Sequence, residues 1–209
     1  MTREAVIVSY ARTGLAKSQR GGFNITPTMT MAAHAVEHAV ARSGVEKEAV
    51  EDCFIGNVAH GAGNLGRLAG LLAGLPITTG GSTIQRHCSS GLNAIALAAN
   101  YIRNDGCDVA VAAGVEAISM PNPGMGGSIN MDDQLTDMYP AIYMAMIETA
   151  DIVAARYGIS REDQDVFSVE SQRRTAEAQQ AGRFADEIVA VTTTMAVTDK
   201  ETQAVSQRE

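Results

Sequence analysis

Apolar and polar positions alternate along the first half of the chain in a way that predicts strands and helices in turn. Residues 4–10 read as a short buried strand built on Val6-Ile7-Val8. A Gly-rich and polar stretch over 12–24 is a loop, after which Thr26 stands at an N-cap position and Pro27 opens a helix. From 28 to 43, Ala32, Ala35, Val36, Ala39 and Val40 recur at helical spacing, and Gly44 ends the run. Residues 52–59 form a second strand, with Cys53 as a small core residue. Gly61-Ala62-Gly63-Asn64-Leu65-Gly66-Arg67 lacks the Lys-Ser/Thr of a P-loop and the spacing of a dinucleotide fingerprint. It is read as a turn into a helix over 65–73, which Gly74-Leu75-Pro76 stops. A third strand over 82–85, a helix over 91–104, a turn at Asn104-Asp105-Gly106 and a fourth strand over 108–116 follow. The last, with Val109-Ala110-Val111-Ala112-Ala113, reads as buried on both faces. This order predicts an α/β fold, its sheet mixed or mostly parallel, with helices on both sides.

The texture changes after Glu116. Residues 119–137 are rich in Gly, Pro, Asn, Met and Asp and read as a long excursion or lid-like subdomain. A helix is predicted over 139–157, broken at Gly158. Ser160-Arg161-Glu162-Asp163 opens another in the manner of a capping box, running to about 181 with a solvated charged face. Residues 188–197 are β-branched and predict a strand, beyond which a polar stretch offers no closing element. The resulting division is a core domain over 1–118 and an incomplete lid/loop domain over 119–209.

Net charge is −8 with no basic cluster, which argues against nucleic acid as a partner. No apolar run is long enough to span a bilayer, so no membrane partner is expected. Three cysteines at wide spacing, without a secretory start, predict free thiols in a reducing, cytoplasmic compartment. No Cys-x-x-Cys pair is present, so no zinc or other metal is expected. His34 and His38 stand one helical turn apart, a metal-compatible spacing, but lack a third ligand and are assigned to a surface or interface.

The chemistry concentrates on Ser82-Thr83-Ile84-Gln85-Arg86-His87-Cys88-Ser89-Ser90-Gly91-Leu92-Asn93-Ala94-Ile95-Ala96. A strand here ends at a cysteine flanked by small polar residues, and a helix of small residues begins. A thiol so placed faces unpaired backbone N–H groups and the positive end of the helix dipole, both of which favour the thiolate. Two readings of Cys88 stay open on these grounds: a nucleophile, or a buried structural cysteine.

The same stretch, His87-Cys88-Ser89-Ser90-Gly91-Leu92-Asn93-Ala94-Ile95, resembles the Cys-x-Ser-Gly nucleophile signature of the thiolase family, which includes acetyl-CoA acetyltransferases and 3-ketoacyl-CoA thiolases. Val111-Ala112-Ala113-Gly114-Val115-Glu116-Ala117-Ile118-Ser119 is similar to the following strand, and Met146-Ile147-Glu148-Thr149-Ala150-Asp151 to a lid stretch. Ser171-Gln172-Arg173 and Gly182-Arg183-Phe184-Ala185-Asp186-Glu187-Ile188 match later segments. The resemblance implies the N-terminal half of a layered αβαβα architecture with a mixed sheet and part of a lid. It implies an acyltransferase in which Cys88 carries the acyl group as a thioester and Met146 lines the acyl pocket. Coenzyme A is then a substrate, with no permanently bound cofactor. The family is dimeric or tetrameric, which implies a homodimer, a homotetramer, or pairing with a missing C-terminal half.

Departures from the family accompany these matches. The Asn-Glu-Ala-Phe motif, the Gly-His-Pro histidine and the Cys-x-Gly-Gly cysteine of the family's second half are not in this sequence. His87 is expected to point away from Cys88, because neighbours on an extended chain face opposite ways, and His34, His38 and His60 carry no motif support. The chain is therefore expected to be a fragment, inactive by itself. Ala145 precedes Met146 where biosynthetic relatives have His, and Ile147 follows where the family has Gly, so chain-length preference stays open. The competing readings are a ketoacyl-synthase relative and a non-catalytic half that binds CoA or a partner.

Overall fold

The computed structural model of this 209-residue chain describes residues 3–58, 63–104, 106–120 and 131–209. The expectations placed on His60, Gly61, Ala62, Asp105 and residues 121–130 lie outside these. Helices α1 (Thr28–Ser43), α2 (Leu65–Leu72) and α3 (Ser90–Arg103) alternate with strands β1 (Asp52–Gly56), β2 (Ser82–Ile84) and β3 (Ala110–Gly114). Then come α4 (Asp133–Met138), α5 (Met146–Tyr157), α6 (Arg161–Gln180) and a hairpin of β4 (Met195–Thr198) and β5 (Val205–Arg208). Two compact units result: Met1–Gly126 with Glu187–Glu209, and Gly127–Asp186.

The sheet of the first unit is parallel, in the order β2-β1-β3, with Phe54 opposite both Ser82 and Ala112. Alternation along β1 sorts its side chains between two helical layers. Cys53 and Ile55, both fully buried, join Val36 and Val40 of α1 and Leu65 and Ala69 of α2 in the core. Phe54 points the other way and meets Tyr101 of α3 edge-on, ring centres 5.9 Å apart. The expected α/β arrangement, with helices on both sides of the sheet, is what the chain adopts.

Several elements differ from expectation for identifiable reasons. Residues 4–10 form no strand, and Val6, Ile7 and Val8 are exposed. Side chains tether this segment: Arg3 pairs with Asp108, and the Arg42 guanidinium donates to the Tyr10 carbonyl. Its backbone pairing begins only at Arg12, which donates to the Glu187 carbonyl and accepts from the Val189 amide. Thr26 does not cap α1. It is buried, its hydroxyl shared with Thr193, and Pro27 takes the cap position. β3 is half-buried rather than sealed on both faces. The helix expected over 139–157 begins at Met146, because Tyr139, before Pro140, is non-helical (φ −137°, ψ 81°) and Ala145 is extended. Beyond it, β5 pairs antiparallel with β4 where no closing element was expected. The turn between them is built by the Asp199 carboxylate, which accepts from the amides of Glu201 and Thr202 and the Thr202 hydroxyl.

In the second unit, α6 opens on a reciprocal capping box: the Ser160 hydroxyl accepts from the Asp163 amide, and the Asp163 carboxylate from the Ser160 amide. Hydrogen bonds from Ser160 hold the Asp163 carboxyl below its ordinary range. Ion pairs Arg161–Asp165 and Arg174–Glu170 run along its exposed face.

Candidate active site

The C-terminal ends of the parallel strands converge on the start of α3, the end of an open α/β sheet where sites form. Two glycines make that convergence possible. A Cβ on Gly56, at the end of β1, would stand 2.4 Å from the Ser90 carbonyl carbon, and one on Gly114, at the end of β3, 3.0 Å from the Gly91 Cα. Only residues without side chains let the first turn of α3 rest directly on the strand ends.

Between β2 and α3 the chain turns through Gln85, Arg86, His87, Cys88 and Ser89. His87 adopts the left-handed conformation (φ 47°), which costs a non-glycine residue roughly 1–2 kcal/mol. Ser90, only 4 % exposed, fastens this turn. Its hydroxyl accepts from the Arg86 amide at 2.8 Å and donates to the His87 carbonyl at 2.6 Å, while its own amide donates to that carbonyl at 3.0 Å. The Ser89 hydroxyl donates to the Arg86 carbonyl at 2.8 Å, and the Arg86 guanidinium reaches forward to Asn93 Oδ1 at 2.8 Å.

Cys88 is a free, exposed thiol at the crest of this turn, while Cys53 and Cys107 are buried. Burial, reinforced by the Asp52 charge, pushes the Cys53 thiol up to about 12, and burial also raises Cys107. Of the three thiols, Cys88 is the one open to an incoming electrophile, and the structural-cysteine role falls to the other two. The expectation that His87 points away rested on an extended backbone, which this residue does not have.

Sequence reasoning missed a polar pair beside the site. The side-chain amide of buried Asn57 donates to the Val115 carbonyl at 2.9 Å, and the Val58 amide donates to the Glu116 carboxylate at 2.9 Å. These bonds tie the C-terminal ends of β1 and β3 together beyond the last ladder pair. The available signal was the matching Gly-polar endings of the two strands, Gly56-Asn57 and Gly114-Val115-Glu116. Met146, the other expected site residue, is the first residue of α5 in the second unit and is 78 % exposed. His34 and His38 pack edge-on, 4.5 Å between ring centres, and His34 Nε2 bonds the Ala190 carbonyl at 2.9 Å. Among the described residues no group of three or more His, Cys, Asp or Glu is placed to hold a metal ion. No helix among them is long and apolar enough to cross a membrane. A groove of about 520 Å³ lies elsewhere, between the 11–18 loop, α1 and β3, and Cys88 does not line it.

A family model described as the N-terminal domain of thiolase matches residues 5–209. The chain belongs to the thiolase family. This thiolase chain is 40% identical over 196 residues to a 3-ketoacyl-CoA thiolase of Bacillus subtilis, covering 92% of itself and 50% of that protein. It is 41% identical over 203 residues to an acetyl-CoA acetyltransferase of Chromobacterium violaceum, covering 90% and 51%. The crystal structure of the Bacillus anthracis acetyl-CoA acetyltransferase superposes with a TM-score of 0.77 at 29% identity, over 99% of this chain and 54% of that one. The thiolase chain thus spans about half the length of the relatives it matches.

Proposed function

We propose that this chain supplies the acyl-accepting half of a thiolase, with Cys88 as nucleophile. In the cleavage direction the Cys88 sulfur attacks the 3-keto carbonyl of a 3-ketoacyl-CoA. The C2–C3 bond breaks, its electron pair leaves on C2, and protonation there yields acetyl-CoA. The acyl group remains on sulfur as a thioester. A CoA thiol then attacks that thioester, the Cys88 sulfur departs, and the shortened acyl-CoA is released. Two easier steps replace one difficult one, as covalent catalysis requires. Run in reverse from acetyl-CoA, the same steps form acetoacetyl-CoA.

The observation that carries this reading is the exposed Cys88 thiol in the turn that leads from β2 into α3. A thiol there is reachable by a thioester. The proton traffic at C2 that turnover needs is assigned to groups outside the motifs of this chain, in keeping with the relatives' greater length, while a single acetylation of Cys88 needs only its own thiolate. Met146, exposed at the start of α5, is assigned to the acyl pocket, and coenzyme A is a substrate rather than a resident group. The exposed apolar surface of α3 favours association with a homologous half or a second copy in solution. Incubation with acetyl-CoA followed by peptide mass spectrometry tests the reading: an acetyl group on the Cys88 peptide, lost in Cys88→Ser, supports it. Retention of CoA without any adduct favours a non-catalytic binding half.

A further inference from the structure

We infer that Ser90 and His87 act together as a positioning device for Cys88. The inference rests on the acyl-transfer reading above and adds to it how the thiol is aimed. His87 is one of three non-glycine residues with positive φ among those described; of the other two, Gln19 lies in the 12–24 loop and Gln203 in the β4–β5 turn. Strained backbone of this kind persists where its surroundings over-determine it. Here the surroundings centre on Ser90, with the Ser89 hydroxyl holding the Arg86 carbonyl beside it. Ser90 receives the amide before His87 and grips the His87 carbonyl through both its hydroxyl and its amide. Ser90 is itself buried against the Gly56 backbone, so the grip is anchored to the sheet rather than to solvent. With residues 86, 87 and 90 held, the backbone that carries the exposed Cys88 is fixed where the turn enters α3. Ser90 and His87 touch no substrate in this account; they are positioning residues, and the sulfur is the reacting atom.

In the step affected, the Cys88 sulfur bonds to the acetyl carbon, the carbon–sulfur bond to CoA breaks, and the thiol proton leaves with the CoA sulfur. That attack needs a defined approach angle, whereas alkylation of an exposed thiol by a small reagent does not. The 209-residue chain and its Ser90→Ala, His87→Gly and His87→Gly/Ser90→Ala variants are therefore compared in two assays, acetylation of Cys88 by acetyl-CoA and its alkylation by iodoacetamide. Misplacement of the sulfur is expected to slow acetylation at least about tenfold in Ser90→Ala while alkylation stays within about threefold. Glycine adopts positive φ without the steric penalty, so His87→Gly is expected to return the Ser90→Ala acetylation rate most of the way to wild type. Should Ser90→Ala alone fail to fold, the double variant is still expected to fold and to acetylate. Unchanged acetylation in Ser90→Ala, parallel loss in both assays, or a double variant no better than Ser90→Ala overturns the inference. An unacetylated wild-type chain overturns the acyl-transfer reading itself, and this inference falls with it.

Discussion

The two sides of the sheet are built on opposite plans. On one, α1 and α2 bury a continuous apolar core in which Val36, Ile55, Leu65 and Ala69 have almost no exposed surface. On the other, α3 turns its small residues, Ser90, Ala94 and Ala98, to the sheet and carries its large ones outward, Leu92 being 71 % exposed. The first plan is that of an outer helical layer, apolar inward and polar outward. The second is that of a helix with another layer expected above it. Its small inward face brings the α3 backbone onto the strand ends, which is how the Cys88 turn comes to rest there. The seating of the Cys88 turn and an exposed apolar face on α3 are thus two consequences of one residue pattern.

The sharpest way to break this contrast is at the glycine seat. Gly56→Val places carbon where the Ser90 backbone lies, and a loss of about 4 kcal/mol or failure to fold is expected, read by denaturant unfolding. Next comes a matched pair across the sheet: Leu65→Ala is expected to cost about 3 kcal/mol, and Leu92→Ala less than about 0.5. Leu92→Asp is expected instead to lower self-association, and a wild-type chain that sediments as a clean monomer would count against the covering layer. Alkaline pH separates the sides further. The folded chain holds the Cys53 proton up to about 12 against an ordinary 9.0, while the unfolded chain releases it earlier. Stability is therefore expected to fall as pH rises from about 9.0 toward 12, on the order of 1 kcal/mol per unit, with a flatter profile in Cys53→Ala. In the second unit, Ser160→Ala removes the α6 cap at a cost of about 1 kcal/mol, seen as reduced helicity on warming.

Much of the core was legible in residue order because local signals and tertiary contacts agree there. Period-3.6 apolar positions and a terminal Gly44 marked α1 to its last residue, and Ser160 with Asp163 marked the start of α6. Val6-Ile7-Val8 misled because β-branched composition reports that a segment suits a sheet, while pairing depends on a neighbour distant in sequence. The closing hairpin was missed because β5, Val-Ser-Gln-Arg, is exposed throughout and its turn depends on the bonding of one carboxylate, Asp199. At the site, the strand–cysteine–helix order was visible in the letters. The left-handed His87 was not, since a histidine carries no glycine-like mark of positive φ, and neither was the Asn57–Glu116 closure, whose partners lie 59 positions apart.

The destination of an acetyl group tests the role of Cys88 most directly. Acetyl-CoA supplied to the 209-residue chain should leave 42-odd mass units, about one acetyl, on the Cys88 peptide and none on the buried Cys53 or Cys107, with Cys88→Ser blank. An intact, folded chain whose Cys88 stays unmodified, or one acetylated equally in Cys88→Ser, contradicts it.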